Sequence, residues 1–305
     1  MSLPQSCPLC AADSDRQGVV TRHVYGDTAA TRAFFHCSSC DVRYLHPGLT
    51  AEEERRFYAS EFAAFMAGRA GSAAGWDKAE EHVRANEPTR LRRMAYLGPH
   101  LRQPLTLLEI GCSSGFMLFP LIADGHTCIG VEPSGAFGEY LRSQGLSVHP
   151  SLDELRATSG GQRFDLVMHF FVLEHIRQPR VFLEQQLALL KPGGTLVFEV
   201  PNAADPLYSV YDIAAFERFY WSIAHPWYFS EASLRYLLEQ LGKPFEIRLD
   251  QRYDLSNHIV WARDGRPGGM GRFTAALGRE LEDNYRQGLI RAGRCDTLVG
   301  VVRNP

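Results

Sequence analysis

Between residues 105 and 201, short apolar runs alternate with amphipathic stretches, and no other feature restricts the fold as much. LTLLEIG, TCIGVE, LSVHP, FDLVMHF and TLVFEV each have the length and composition of a buried strand. Helical spacing fills the intervals at Phe116–Ala123, SGAFGEYLRSQG and PRVFLEQQLALL. Strand and helix in strict alternation predict βαβ units. The predicted class is α/β, a Rossmann-like, doubly wound, mostly parallel sheet. Downstream, EASLRYLLEQLG is a helix, FEIRLDQ a strand, residues 272–291 a helical stretch and TLVGVVR a last strand. Upstream, the spacing predicts helices over 51–65 and 76–97, joined by the small-residue linker AGRAGSAAG.

The first strand runs into Gly111-Cys112-Ser113-Ser114-Gly115 and a helix leaves it. Glycines there let backbone amides approach a ligand, and the helix start favours an anion. A plain strand-to-helix turn is the alternative. Glu132, followed by Pro133, ends the next strand 21 residues after Gly111. A carboxylate at that place can accept hydrogen bonds from both hydroxyls of a ribose. The two features together point to a nucleoside.

LLEIGCSSG, VEPS, FDLVMHFFVLEHI and LLKPGGTLVFEVPN resemble, in order, four motifs of the class I S-adenosylmethionine-dependent methyltransferases. The resemblance spans residues 105–202. It implies that Glu109 and the backbone of Gly111, Cys112, Ser113 and Gly115 hold the amino-acid end of the cofactor, with Glu132 and Pro133 at the ribose. It implies an adenine contact at Leu152 and Asp153, although Asp153 could instead cap the helix DELRAT. Phe170 would meet the cofactor through its backbone. Ser113 stands where many members carry a third glycine.

A sulfonium methyl is already electrophilic, so such an enzyme has mainly to align the acceptor and exclude water. A base is needed only where the acceptor carries a proton it cannot lose alone. His175, His225 and His258 compete for that part, each against a structural role. His225 opens HPWYFS, a pattern that, with the N-terminal cysteine pairs, resembles the zinc-ribbon sugar C-methyltransferases. Those carry a tyrosine and a glutamate where this chain has Ser222 and Ala224. Methylation on oxygen or nitrogen is therefore expected over methylation on carbon. Tyr208, Tyr211, Phe216, Phe219, Tyr220, Trp221 and Trp227 could line an acceptor pocket or pack a core.

Cys7-x2-Cys10 and Cys37-x2-Cys40 have the spacing of a tetrahedral zinc site, against disulfides or a redox pair. With all four positions cysteine, such a zinc is structural. Cys112, Cys128 and Cys295 stand alone, as expected of a reducing compartment. No apolar run reaches the ~18 residues of a membrane span and no secretory signal precedes the first pair, so a cytoplasmic protein is expected. The expected organisation is a zinc ribbon (1–50), a helical linker (51–100) and a methyltransferase domain (101–305) with acceptor-pocket insertions near 205–230 and 250–295. The expected acceptor is a small molecule related to sugars. A formal charge of -3 over 305 residues disfavours nucleic acid. An RNA base methyltransferase and a non-catalytic cofactor-binding module are the alternatives.

Overall fold

The computed structural model describes residues 3–57, 65 and 78–305. The expected linker, and the middle of the helix expected over 51–65, lie outside the described residues. Near the N-terminus, β1 (Gln17–Thr21), β2 (Ala33–Cys37) and β3 (Arg43–His46) form an antiparallel sheet. Helix α1 (Ala51–Arg56) follows, closed at its start by a capping box between Thr50 and Glu53. The single helix expected over 76–97 is two, α2 (Ala79–Ala85) and α3 (Glu87–Leu97). The break falls at Asn86, whose φ of -95° and ψ of 4° leave the helical range, just before Pro88.

The main sheet contains β4 (Thr106–Ile110), β5 (Thr127–Val131), β6 (Ser147–His149), β7 (Phe164–Phe170) and β8 (Leu190–Pro201), all parallel. Helices α4 (Leu118–Ala123), α5 (Gly135–Ser143), α6 (Leu152–Thr158) and α7 (Pro179–Leu187) make the crossovers. Helix α4 begins two residues later than expected, because the glycine turn extends through Met117. Strand β8 takes in the KPGG segment that resembles a family turn. Gly193 adopts φ +79°, and a β-carbon on Gly194 would lie 2.9 Å from the Lys191 carbonyl. The register of β7 against β8 shifts at that place.

Beyond β8 come α8 (Pro206–Ser209), α9 (Ala214–Tyr220), the two-residue β9 (Trp227–Tyr228), α10 (Glu231–Glu239), β10 (Phe245–Asp250) and α11 (Leu255–Asp264). The helical stretch 272–291 breaks at Gly278 (φ +84°) into α12 (Thr274–Leu277) and α13 (Arg279–Arg291), and β11 (Thr297–Arg303) follows. Strand β11 slots antiparallel between β8 and β10, giving the order β10-β11-β8-β7-β4-β5-β6. Strand side chains alternate between two cores. Leu108, Val167, Phe198 and Leu298 face one; Leu107, Leu166, Val197 and Val299 face the other. The first core also takes in Cys7, Phe35 and Tyr44, so the N-terminal sheet packs as part of the body. Strand β9 is its fourth member, paired with β3 through Arg43–Tyr228 and Tyr44–Trp227. No helix among the described residues is long and apolar enough to cross a membrane.

Candidate functional site

The switch point of the sheet lies at β4, where the chain leaves toward β5 on one side and returns from β6 to β7 on the other. Open α/β sheets bind ligands at the carboxyl ends of strands beside such a point. Gly111 and Gly115 both have φ near +75°, and Ser113 takes φ +45°. A β-carbon on Gly111 would sit 2.8 Å from Val172 Cγ2, and one on Gly115 would sit 2.7 Å from Leu141 Cδ2. These two positions therefore need glycine for φ and for space. A cavity of about 380 Å³ lies elsewhere, lined by Met94, Leu101, Pro104, Leu121 and His126 at the amino ends of β4 and β5. It has no part in a carboxyl-end site.

Glu132 is buried at the end of β5. One carboxylate oxygen accepts the Ser113 N–H at 2.7 Å and the other the Ser134 N–H at 2.8 Å. Burial pushes its pKa up, and these two amides oppose that. An ionised carboxylate accepts about four hydrogen bonds, so acceptor capacity for two hydroxyls remains. Glu109 is wholly enclosed, and its Oε2 has no hydrogen-bond partner. Burial raises it to about 8, Glu132 adds to the effect, and Arg93 works against it. An orphaned carboxylate oxygen beside a glycine cradle suits a ligand that carries an ammonium group. These residues fit an aminoacyl nucleoside.

Several expected contacts change in detail. Pro133 is exposed, and Cys112 is buried with its N–H on the Val131 carbonyl. Leu152 is buried and Asp153 exposed. The cap of α6 is Ser151, which accepts the Glu154 N–H at 3.1 Å, and Asp153 sits inside the first turn. The capping role considered for Asp153 is thus wrong. Phe170 is buried beneath the Arg93 guanidinium, 3.9 Å from its ring centroid.

The three histidines separate into two groups. His175 lies in a short 3-10 turn, Leu173–His175. Its Nδ1 stands 2.7 Å from the Ala224 carbonyl, and its ring centroid 4.6 Å from that of His225. His258 sits on α11. Its signals are an Asp254 cap on Asn257 N and a left-handed Gly265 at the end. Its Nδ1 meets the Tyr285 hydroxyl, which in turn contacts Tyr211 at 2.7 Å. Burial lowers His258 to about 4.

Of the two readings of the aromatic segment, core packing holds for most of its rings. Phe216, Tyr220 and Trp221 pack with Phe34 and Trp261, and Trp227 is buried with its Nε1 donating to the Ile176 carbonyl at 2.9 Å. Tyr211 is half exposed. Periodicity cannot separate a pocket ring from a core ring in an irregular segment.

Glu199, His82 and Glu174 carry no motif that marks them in the sequence. Glu199, buried in β8, accepts from Arg93 Nε at 2.9 Å and Tyr96 at 2.7 Å, and pairs with Arg92 at 2.6 Å. Burial pushes Glu199 up, but Arg93 and Arg92 hold it near 2. His82 on α2 reaches Ser114 Oγ at 2.8 Å, beside the glycine turn. Glu174 is wholly buried next to His175. In sequence, EPTRLRRMAYL looks like a solvated helix face, and a single glutamate inside a strand has no motif to announce it.

The four N-terminal cysteines converge. Cys7 and Cys40 sulfurs are 3.7 Å apart and Cys10 and Cys37 3.6 Å. A tetrahedral site with Zn–S bonds of about 2.3 Å has edges of about 3.8 Å, so the set fits zinc. The two turns repeat one geometry. Cys7 N donates to Ala12 O and Ala11 N to Cys7 O, while Cys37 N donates to Val42 O and Asp41 N to Cys37 O. Ala11 and Asp41 both take positive φ.

Residues 80–243 match the family model described as a methyltransferase domain. A ubiquinone biosynthesis O-methyltransferase from Nitrobacter winogradskyi is 32% identical over 102 residues, 32% of this chain and 39% of that protein. Another, from Brucella ovis, is 30% identical over 124 residues, 38% of this chain and 49% of its own. The chain therefore spans less than half the length of these curated relatives. A SAM-dependent methyltransferase structure from Archaeoglobus fulgidus aligns with a TM-score of 0.50 at 18% identity, covering 80% of this chain and 100% of that one. The plantazolicin methyltransferase BpumL, in complex with a monoazolic desmethylPZN analog and SAH, aligns with a TM-score of 0.51 at 15% identity, covering 83% and 94%. At these identities the likeness is one of fold.

Proposed function

Because the chain belongs to the methyltransferase-domain family, we propose that it transfers a methyl group from S-adenosylmethionine to an oxygen or nitrogen of a small acceptor related to sugars. The carrying observation is the glycine turn beside two buried carboxylates, one with an orphaned oxygen and one with two acceptor positions to spare. When bound, the cofactor supplies a methyl group already activated on sulfonium. Glu132 takes the ribose hydroxyls. Glu109, with the amides of Gly111, Cys112, Ser113 and Gly115, orients the amino-acid end, and Pro133, Leu152, Asp153 and Phe170 border the nucleoside. Cys7, Cys10, Cys37 and Cys40 hold a structural zinc. With no open position on that ion, it takes no part in methyl transfer.

His175 and His225 govern the acceptor's exchangeable proton. The Ala224 carbonyl can only accept, so His175 Nδ1 carries hydrogen and Nε2 is left as the basic nitrogen. The histidine pair favours catalysis over a silent cofactor-binding module. The missing partners at Ser222 and Ala224 favour oxygen or nitrogen over carbon, and the relatives bear the name O-methyltransferase. A cytoplasmic location fits the lone thiols.

Calorimetry with S-adenosylhomocysteine tests the cofactor site. Glu132→Ala should lose at least about tenfold in affinity, since it removes two hydrogen bonds to a charged group, while circular dichroism stays native. Unchanged affinity would remove the site. A thermal-shift panel of nucleotide sugars, run with S-adenosylhomocysteine present, then searches for the acceptor through linkage. His225→Ala should lower kcat with the cofactor affinity retained.

A further inference from the structure

Glu174, His175 and His225 bring a carboxylate oxygen and two imidazole nitrogens within 4.8 Å of one another. We propose that these three side chains form a second metal site, for a divalent first-row cation, on the acceptor side of the crevice. Its open coordination positions would receive an oxygen of the acceptor. The inference rests on the methyltransferase reading for the acceptor's place, and on the side chains alone for the metal.

Glu174 is the strongest reason. Its side chain is wholly buried, and neither carboxylate oxygen has a hydrogen-bond partner. Burying a carboxyl group without hydrogen-bond partners is unfavourable. Native proteins seldom leave such a group without water, an ion or a function to account for it. Burial raises its pKa; its own backbone N–H and, less, the charge of Arg252 work the other way. A dication at hydrogen-bonding distance would satisfy both oxygens and restore the ionised form.

The second reason is the environment of His175. A metal-binding imidazole commonly donates its other N–H to a carbonyl or carboxylate, which fixes ring and tautomer. The Ala224 carbonyl stands in that relation to Nδ1 at 2.7 Å. The third is the support beneath His225. Backbone bonds tie its segment to the β1–β2 connection and to β3, at Tyr25 N to Trp221 O (2.7 Å), Ile223 N to Tyr25 O (2.9 Å) and Leu45 N to Pro226 O (2.9 Å). Trp227 Nε1 anchors the same segment to the Ile176 carbonyl. The ligands thus come from two stretches already locked together. Ligand atoms on one ion lie about 3–3.6 Å apart, so binding would draw the three inward by about an ångström.

Two imidazoles and one carboxylate suit manganese, iron, cobalt or zinc, and leave room for substrate oxygen. A cation there would lower the proton affinity of an acceptor hydroxyl. With both imidazoles bound to the ion, the acceptor's proton would pass to solvent, and the histidines would act on it through the ion they hold.

Mn²⁺ is the appropriate probe. It stands lowest in the affinity series for first-row ions and will not displace zinc from four thiolates. The full chain would be titrated with Mn²⁺ while the free-ion signal is followed by electron paramagnetic resonance. S-adenosylhomocysteine binding would be measured on the same samples by calorimetry. One Mn²⁺ per chain is expected, with affinity at least about tenfold weaker in Glu174→Gln and in His225→Ala, both checked for native circular dichroism. Failure of the unaltered chain to bind Mn²⁺, or equal binding by both folded variants, would overturn the site. Cofactor binding without Mn²⁺ binding would sink the metal and leave the methyltransferase reading standing. Mn²⁺ binding without cofactor binding would do the reverse.

Discussion

Glu109, which we place at the amino-acid end of the cofactor, is costly for folding. Glu109 is fully enclosed, and burial raises its pKa to about 8. An unfolded glutamate titrates near about 4.3. Across that interval the folded state keeps a proton that the unfolded chain gives up. Stability of the ligand-free protein should therefore fall as pH rises from about 4.5 to about 8, then level off. Glu109→Gln removes the penalty. We expect this variant to gain about 1–3 kcal/mol at pH 7.5, with the gain vanishing near pH 4.5. Its affinity for S-adenosylhomocysteine should drop. Thermal melts at the two pH values, with calorimetry alongside, check both halves. A variant no more stable than the parent at pH 7.5 would show that the carboxyl finds a partner the fold does not reveal.

At the scale of elements, the decisive arrangement is the short strand β9. Its two residues complete the cysteine-bearing sheet, and His225 stands two positions before it. Ser230, just after it, donates to the Asp41 carbonyl at 3.3 Å, and Asp41 follows Cys40 directly. The cysteine turns thus brace the segment that carries His225. Cys40→Ser should release zinc and loosen β3 and β9 together. Turnover should fall by about tenfold or more, as when groups that orient a site are lost, while S-adenosylhomocysteine affinity changes little. Metal content by atomic absorption, set beside kcat and cofactor affinity, tests this. A loss of cofactor affinity as large as the loss of turnover would count against it.

For the molecule as a whole, Glu199 is the tie. It joins α3, from before the sheet, to β8 near its centre, and Arg92 carries the link on to Asp250 at the end of β10. Glu199→Gln leaves two buried guanidiniums short of a charge, which costs about 3–5 kcal/mol. Because its folded pKa is held near 2, the stabilisation is complete above the unfolded value of about 4.3 and is lost as pH falls toward 2. The deficit of the variant should be full at pH 7 and begin to narrow below about pH 4.5. Urea melts at pH 7 and at pH 3.5 measure it. An equal deficit at both would assign the effect to packing.

The alternation of strands and helices, the glycine turn, Glu109 and Glu132 at strand ends, and the paired cysteines were all legible in the chain. Each depends on neighbours in sequence, where period and spacing carry the physics: two for strands, 3.6 for helices, three for a metal turn. The break at Asn86, the true cap at Ser151 and the helix bearing His258 were also local, and the signals for them stood in the sequence. Tertiary structure alone decided the rest. It set Glu199 against Arg92 and Arg93, enclosed Glu174, buried most of the aromatic segment and lent β9 to the N-terminal sheet. Those outcomes turn on which distant side chains share a low-dielectric interior, and no periodicity along a chain records that.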